Sequence, residues 1–531
     1  MAQHWDYIIV GAGAAGCVLA HRLSADPKRS VLLIEAGPPD RSPYIHIPAA
    51  IVKLIGNSKY DWAHLAAADP TRNDRVDLWP AGKTLGGSTS INGMLIVRGH
   101  PQDYDDWAAL GATGWGFADV LPYFKRLEAF ADGDDALRGR DGPMHVDWLR
   151  TTHPLAHVFR AAAEEEGLTF NDDYNGVRQF GVAYSQVTQK RGARFSAARA
   201  YLNPIKARPN LKIETGTRVD RLIFEGKQCT GVSAKAGDGR SLRFTGRETL
   251  LCAGALASPT LLMRSGVGPG HHLRENGVEV LVDAPEVGEN LREHPEVMVS
   301  ANVYRRTYNM ELSGVRPVWH MANWLLRRRG PVTSPYPHCV AYFHTQGRNE
   351  RPNVQVLFGP FAFDFDENGV LPVREPVVGA AYNITHPKSK GGVRLKGPGE
   401  AAPDISHAMF SDEDDMARMI EAGRKVRAIF DAPAFAAHRK GERGPGPDVE
   451  SDDEWADYIR RAAFLGYHPI GTCRMGSDAR AVATPELRVN GVERLRVVDA
   501  SVMPAHVSAN TNAAVLMIAE KASDQILRAA A

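Results

Sequence analysis

The sequence predicts an α/β fold in which a βαβ unit opens the chain and a second domain is inserted into the first. Three observations carry this. An apolar strand, a Gly-rich turn and a helix follow one another between Asp6 and Leu23; short strands with Gly-rich turns fill Asn210 to Ala253; and a strand, a loop and an apolar helix run from Arg494 to Ala531.

In the first unit, D-Y-I-I-V from Asp6 is continuous, apolar and β-branched after its first residue. It is followed by G-A-G-A-A-G and then by the helical pattern C-V-L-A-H-R-L up to Leu23. A second strand, Val31 to Ile34, ends at Glu35, which gives the unit the length that a parallel pair of strands requires. Asn210 to Ala253 reads as a small meander followed by a buried strand that feeds the helix S-P-T-L-L-M-R. From about Glu296 to Glu454 the pattern is mixed, with Pro and Gly breaks and an amphipathic stretch from Asp412 to Phe430, as expected of a substrate-facing domain. The terminal strand L-R-V-V-D and its helix return to the first domain. Asp132 to Gly142 reads as a flexible surface loop. The expected division is 1–150, 190–295 and 455–531 for the nucleotide domain, and 151–189 and 296–454 for the substrate domain.

A chain of 531 residues, 44% apolar, can bury more than one core. Lys and Arg number 63 against 62 Asp and Glu, so no bulk charge draws the protein to nucleic acid, and its partners are expected to be small molecules. The five cysteines are scattered and lack paired spacing, which argues for buried thiols in a reducing compartment. No stretch reaches the roughly 18 apolar residues of a membrane span, so a cytoplasmic protein is expected, with peripheral membrane contact left open.

Gly11, Gly13 and Gly16 match the dinucleotide fingerprint. The first allows the tight turn, the second lets a pyrophosphate approach the backbone, and the third permits close helix–strand packing. Ala14 and Ala15 open the helix, whose free N–H groups favour phosphate. Glu35, followed by Ala36, stands where a ribose would be met. The fingerprint serves FAD and NAD alike. Its place at the start of the chain, the later meander and the terminal strand ending in Asp499 favour FAD, which is threaded through several chain segments.

Five segments carry a resemblance. P-A-G-K-T-L-G-G-S-T-S-I-N-G-M (Pro80 to Met94), G-A-L-A-S-P-T-L-L-M-R-S-G-V-G-P (Gly254 to Pro269), V-G-E-N-L-R-E-H (Val287 to His294), H-P-I-G-T-C-R-M-G (His468 to Gly476) and the terminal V-D-A-S-V-M-P-A-H-V-S-A-N-T-N resemble, in order, the signature segments of the glucose-methanol-choline oxidoreductases. The choline dehydrogenase and aliphatic alcohol dehydrogenase branch is the most similar. The resemblance implies an FAD domain in three pieces and a substrate domain with an antiparallel sheet over the flavin. It also implies that Gly86, Gly87, Ser88, Asn92 and Gly93 lie along the flavin ring and pyrophosphate, with Met94 beside them. Val219 would meet the adenine side by its backbone, and Asp499 and Ala500 the ribityl chain. Trp62, Ala253, Tyr467, Asn510 and Thr511 complete the expected cofactor contacts. Members with covalent flavin carry a His directly before the Asn of the Gly-Gly segment. This chain has Ile91, which offers no nucleophile, so noncovalent FAD is expected.

Removing a hydride from a carbinol carbon requires a base for the hydroxyl proton, and the flavin takes the hydride. His468 stands where the family carries its catalytic His. Asn510 stands where the family has His or Asn; an amide can donate to a developing alkoxide but cannot take a proton, so His468 is the expected base. No metal site is expected, since His468 and Cys473 lack further ligands. The activity implied is oxidation of a primary alcohol, with oxygen or a quinone-type acceptor. The alternatives are choline oxidation, or a lyase or photodecarboxylase on the same scaffold. A quaternary ammonium would need aromatics and a carboxylate. Aromatics such as Trp319, Trp324 and Tyr336 are plentiful, but between Ala301 and Phe363 the only acids are Glu311 and Glu350, so a neutral alcohol is favoured unless a distant segment supplies a carboxylate.

Overall fold

The computed structural model describes residues 3–530 except 313, 346–350, 367–368 and 399–401. Strand β1 (His4–Val10), helix α1 (Ala14–Leu23) and strand β2 (Val31–Ile34) form the expected βαβ unit, with β1 and β2 parallel and in register from Tyr7 opposite Val31. Both strands are buried on both faces, which explains why they read as uninterrupted apolar runs.

The strand Leu211–Glu214 belongs to the parallel part of the sheet, beside β2, and not to the meander. The meander is Thr217–Glu225, Gln228–Ala236 and Ser241–Leu251. Its last strand is also the buried one. Ser241 to Thr245 pairs antiparallel with the hairpin, while Thr249 to Leu251 lies between β1 and the terminal strand Leu495–Val497, parallel to both. One strand of 11 residues thus joins the two parts of a seven-stranded sheet. The helix Asn512–Ala529 packs on α1, and Glu520, wholly buried on it, accepts from Arg22 at 2.8 and 2.9 Å, from Arg126 at 2.7 Å and from the Tyr201 hydroxyl at 3.0 Å.

The second sheet is antiparallel throughout, in the order Arg439–Gly444, Pro295–Val303, Val377–Ile384, Val354–Gly359, Cys339–Phe343, Gly181–Tyr184. Its far face packs on the helix Glu413–Asp431, whose start is capped by Asp412, and on Pro154–Glu165. Trp455, Ala456 and Ile459 of the helix Asp452–Ala462 share this second core, and Phe464–Leu465 pairs with Pro295 and Glu296. Both fall within the 455–531 segment read as returning to the first domain. The apolar stripe of that helix has nowhere to go but against Glu413–Asp431, so the chain leaves the second unit only after Leu465.

Asp132 to Gly142 is anchored, contrary to its reading as a flexible loop. Arg138 is fully buried and holds Glu128 at 2.9 Å and Asp173 at 2.6 Å. All five cysteines are free and buried. No described helix is long and apolar enough to cross a membrane.

Candidate active site

A cavity of about 740 Å³ lies between the two sheets. The carboxyl ends of the parallel strands open into it: Val10 and Gly11 at the end of β1, Ile34, Glu35 and Ala36 at the end of β2, Cys252 and Ala253 after the long strand, and Asp499 and Ala500 after the terminal one. Ligands of open α/β sheets bind at this edge. Across the cavity stand Tyr336 and Leu357 from the antiparallel side.

The dinucleotide half is shaped by backbone. Gly11 has φ +99, and a Cβ there would sit 2.5 Å from the Cys252 carbonyl oxygen. Gly13 is different: a Cβ would meet no protein atom closer than 3.9 Å, so the space in front of it belongs to the cavity. Ala14 and Ala15, also lining, begin α1, whose first-turn N–H groups have no partner within the helix. Glu35 accepts from Ala12 N at 2.9 Å and Gly37 N at 2.8 Å, and burial raises its pKa to about 7 against those bonds. Its carboxyl therefore braces the turn while one edge faces the cavity. Asp499 accepts from Gly254 N, Ser258 Oγ, Ser501 N and Ser501 Oγ at 2.6–2.9 Å, so its side chain fixes two turns.

Trp62, Gly87, Ser88, Asn92, Gly93, Met94, Val219, Tyr467, Asn510 and Thr511 all line the cavity. Val219 precedes a bulge in its strand, which re-aims the backbone there. Asn92 is oriented by Arg194 at 2.7 Å and by Met94 N at 3.0 Å. Two glycines of the expected site stand outside the cavity lining. Gly16 lies away from the cavity, its Cα so close to Gly11 that a Cβ would fall 1.9 Å from the Gly11 oxygen, which is the packing role of the third fingerprint glycine. Gly86 (φ +89) forms the turn before Gly87 and is fixed by Gly86 N donating to Ala12 O at 2.8 Å, without facing the cavity itself. Ile91 lines the cavity, buried beside Ile45 and Leu54.

The catalytic half depends on two segments running antiparallel. Arg292 bridges Ile470, Glu296 pairs with Phe464, and between them Gly466 N donates to the His294 oxygen at 2.9 Å. This sets His294 beside His468. The Glu293 carboxyl accepts from His468 N at 2.8 and 2.9 Å and from His294 N at 2.8 Å, clamping both backbones, and burial holds its pKa well above the ordinary range. Asn510 comes from the loop ahead of Asn512–Ala529, which is tied down where Ser508 N donates to buried Asp103 at 2.7 Å.

The ring nitrogens form a chain with one consistent set of protons. The Thr385 carbonyl can only accept, so His294 Nε2, 2.9 Å from it, carries the proton. A neutral His294 then accepts at Nδ1, and His468 Nδ1 donates to it across 3.1 Å. His468 Nε2 is left with its lone pair toward Asn510 Nδ2, 3.0 Å away. The Asn510 amide is fixed in turn, since its Oδ1 accepts from Gln355 Nε2 at 3.1 Å. Asn510 does not cap the terminal helix; Thr511 is the cap residue, and no side-chain bond is made there. Burial, and secondarily His294, push the His468 pKa well below 6.5, so the ring is neutral. His294 is held at about 4 by burial.

Sequence reasoning gave no role to His294, Glu293 or Gln355. His294 ends a segment singled out by resemblance, and that was its only signal. Of Trp319, Trp324 and Tyr336, only Tyr336 reaches the cavity: Trp319 is 64% exposed and Trp324 is packed beneath its own helix. Glu350 lies outside the described residues. Glu296, just upstream of the window searched for carboxylates, is buried and accepts from Asn383 at 3.2 Å, and burial raises its pKa to about 8.

A glycine-lined cavity at the carboxyl edge of a parallel sheet, roofed by a second sheet and holding a neutral His beside an amide, is the site of a dinucleotide-dependent oxidoreductase. Comparison with known proteins agrees. Family models described as GMC oxidoreductase match residues 5–296 and 387–519. The chain is 42% identical to an alcohol dehydrogenase [acceptor] of Pseudomonas putida, over 99% of this chain and 96% of that protein. It is 39% identical to an oxygen-dependent choline dehydrogenase of Brucella canis, over 98% and 95%. Among solved structures it resembles pyridoxine 4-oxidase from Mesorbium loti (TM-score 0.90, 34% identity, 99% of both chains) and a formate oxidase of Aspergillus oryzae (TM-score 0.91, 26% identity, 99% and 98%). The chain belongs to the GMC oxidoreductase family, a family of FAD-dependent enzymes.

Proposed function

We propose that the protein oxidises a neutral primary alcohol to the aldehyde, with His468 as base and Asn510 as the donor to the alcohol oxygen. The observation that carries this is the unprotonated Nε2 of His468, which lies on the cavity wall and is hydrogen-bonded to the Asn510 amide N–H at 3.0 Å. A hydroxyl facing both groups from the cavity would replace their mutual hydrogen bond, giving its proton to Nε2 while Asn510 Nδ2 donates to the oxygen as negative charge grows on it. FAD, when bound, supplies the acceptor for the hydride that leaves the carbinol carbon. Gly11, Gly13, Ala14 and Ala15 would hold its pyrophosphate, Glu35 its ribose, and Asn92, Gly93, Ala500 and Thr511 its flavin end.

Electrons then pass to oxygen or a quinone-type acceptor. The cofactor is held noncovalently on this reading, because the position that would bear the linking His is buried Ile91. Acid precipitation should leave all of the flavin in the supernatant, and a yellow pellet would contradict it.

The reading is tested by anaerobic titration of the holoenzyme with primary alcohols. Bleaching of the oxidised flavin band by a primary alcohol supports it; a flavin that no alcohol reduces overturns it. A second reading, oxidation of choline, is favoured by Glu296, a carboxyl that the window from Ala301 lacked and that is linked to Asn510 through Asn383 and Gln355. The neutral state that its raised pKa gives it near pH 7 weighs toward the uncharged alcohol.

A further inference from the structure

The helix Arg316–Arg327 turns an apolar face to the outside. Its inner side is spoken for: the Trp324 indole donates to Gly192 O at 2.7 Å, and His320 Nε2 pairs with Glu311 at 2.8 Å. At 100° per residue, Val315, Val318, Trp319, Ala322, Leu325 and Leu326 share the opposite side, and none of them is polar. Val315 is 83% exposed, Val318 73%, Trp319 64% and Leu326 84%. Soluble proteins seldom leave so continuous a patch bare without a partner for it.

The charges beside this face identify the partner. Arg327, Arg328 and Arg329 end the helix, Arg327 and Arg329 form no ion pair among the described residues, and no acidic residue occurs in the sequence between Glu311 and Glu350. A second copy of the chain docked by two-fold symmetry would offer these arginines only Glu311, a carboxylate already shared by Arg306, Arg316 and His320 of its own chain. An anionic bilayer meets both features, because Trp and Leu side chains enter the headgroup boundary while guanidinium groups reach lipid phosphates. We propose that this helix seats the protein on the surface of a membrane containing anionic lipid.

The position suits the enzyme's chemistry without resting on it. The helix leads through the turn Pro331–Thr333 to Tyr336 and Pro337 on the cavity wall, and that turn packs against Pro48–Lys53, where Ile51 lines the cavity and Val52 is 64% exposed. Seated this way, the flank of the cavity lies on the bilayer, where apolar alcohols and lipid-dissolved acceptors concentrate.

The test is co-sedimentation of the holoenzyme with phosphatidylcholine vesicles, with and without about one third phosphatidylglycerol. The wild type should pellet with the anionic vesicles and be released by salt. Trp319→Ser combined with Leu326→Ser should weaken the partition at least ~10-fold, and Arg327→Glu with Arg329→Glu should abolish the preference for phosphatidylglycerol. Alcohol oxidation with a soluble dye acceptor, without vesicles, should be unchanged in both variants, which establishes that they are folded. Equal pelleting of wild type and the Trp319/Leu326 variant would overturn the proposal. So would a wild-type dimer that those two substitutions convert to a monomer, since the face would then join two copies of the chain.

Discussion

His468 Nδ1 lies 3.1 Å from His294 Nδ1, and the carbonyl of Thr385 behind His294 decides which ring carries the shared proton. The His468 ring is thereby fixed as the tautomer with its lone pair on Nε2, the form in which the proposed base would take a proton. His294→Asn, which keeps an acceptor near the Nδ1 position, should retain more of the rate of flavin reduction than His294→Leu, which removes it. His468→Ala should bind FAD and be reduced at least ~100-fold more slowly, the scale of a lost general base. Single-turnover reduction measures all three, and equal rates for the Asn and Leu variants would show that His294 only fills space.

The pH dependence follows from burial. Because burial and His294 depress the pKa of His468 well below 6.5, its proton-accepting form persists into mild acid. Flavin reduction should therefore be flat from about pH 8 to about pH 6, without the loss near 6.5 of an ordinary His. The same depression has a cost for stability. The unfolded chain takes up a proton at His294 near pH 6.5, whereas the folded one does so only near 4. The stabilisation it represents is complete above about 6.5 and is lost as the pH falls toward 4. Buried carboxyls with raised pKa values act in the opposite sense over the same window, so the comparison is between proteins: thermal melts of His294→Leu should show a smaller fall in midpoint toward pH 4 than the wild type, and equal falls would contradict a buried neutral ring at 294.

The fingerprint glycines should separate into two kinds. Gly13→Val should give folded, colourless protein, because its Cβ would meet the nearest protein atom, the Cys252 oxygen, only at 3.9 Å and would lead the side chain into the cavity. Gly16→Val should fail to fold, because even its Cβ would fall on the Gly11 carbonyl. Circular dichroism and flavin content distinguish them. A fully flavinylated Gly13→Val protein would remove the pyrophosphate from that turn.

The parts of this fold legible in the sequence are those in which one segment carries its own signal. β1, α1 and β2 could be read because two buried strands and a Gly turn are contiguous. The strand Ser241–Leu251 was read as two elements, because its exposed half and its buried half differ in pattern although the backbone is continuous. Arg138 was placed in a loose surface loop because its partners Asp173 and Gln186 are far away in sequence. The catalytic half depends on such distant pairings as well. His468 and Asn510 were found by resemblance, while the tautomer of His468 rests on Thr385 and His294, brought together only by the pairing of Arg292–Glu296 with Phe464–Ile470.

Glu296 makes the choice of alcohol testable. It is a buried carboxyl, linked through Asn383 and Gln355 to Asn510, and burial raises its pKa to about 8. Near pH 7 it is mainly uncharged, so a quaternary ammonium entering the site would find no counter-charge unless the carboxyl ionised. Medium-chain and benzylic alcohols should therefore show a higher kcat/KM than choline at pH 7. Any oxidation of choline should improve as the pH rises through about 8, whereas that of neutral alcohols should not. Glu296→Gln keeps an oxygen for Asn383 and should leave neutral alcohols within about 3-fold of wild type, as expected for replacing one uncharged hydrogen-bonding group by another, while removing the alkaline gain with choline. Steady-state kinetics of the two proteins from pH 6 to 9 decides the matter. A clearly higher kcat/KM for choline at pH 7 would mean that Glu296 is ionised in the working enzyme and that the neutral-alcohol reading is wrong.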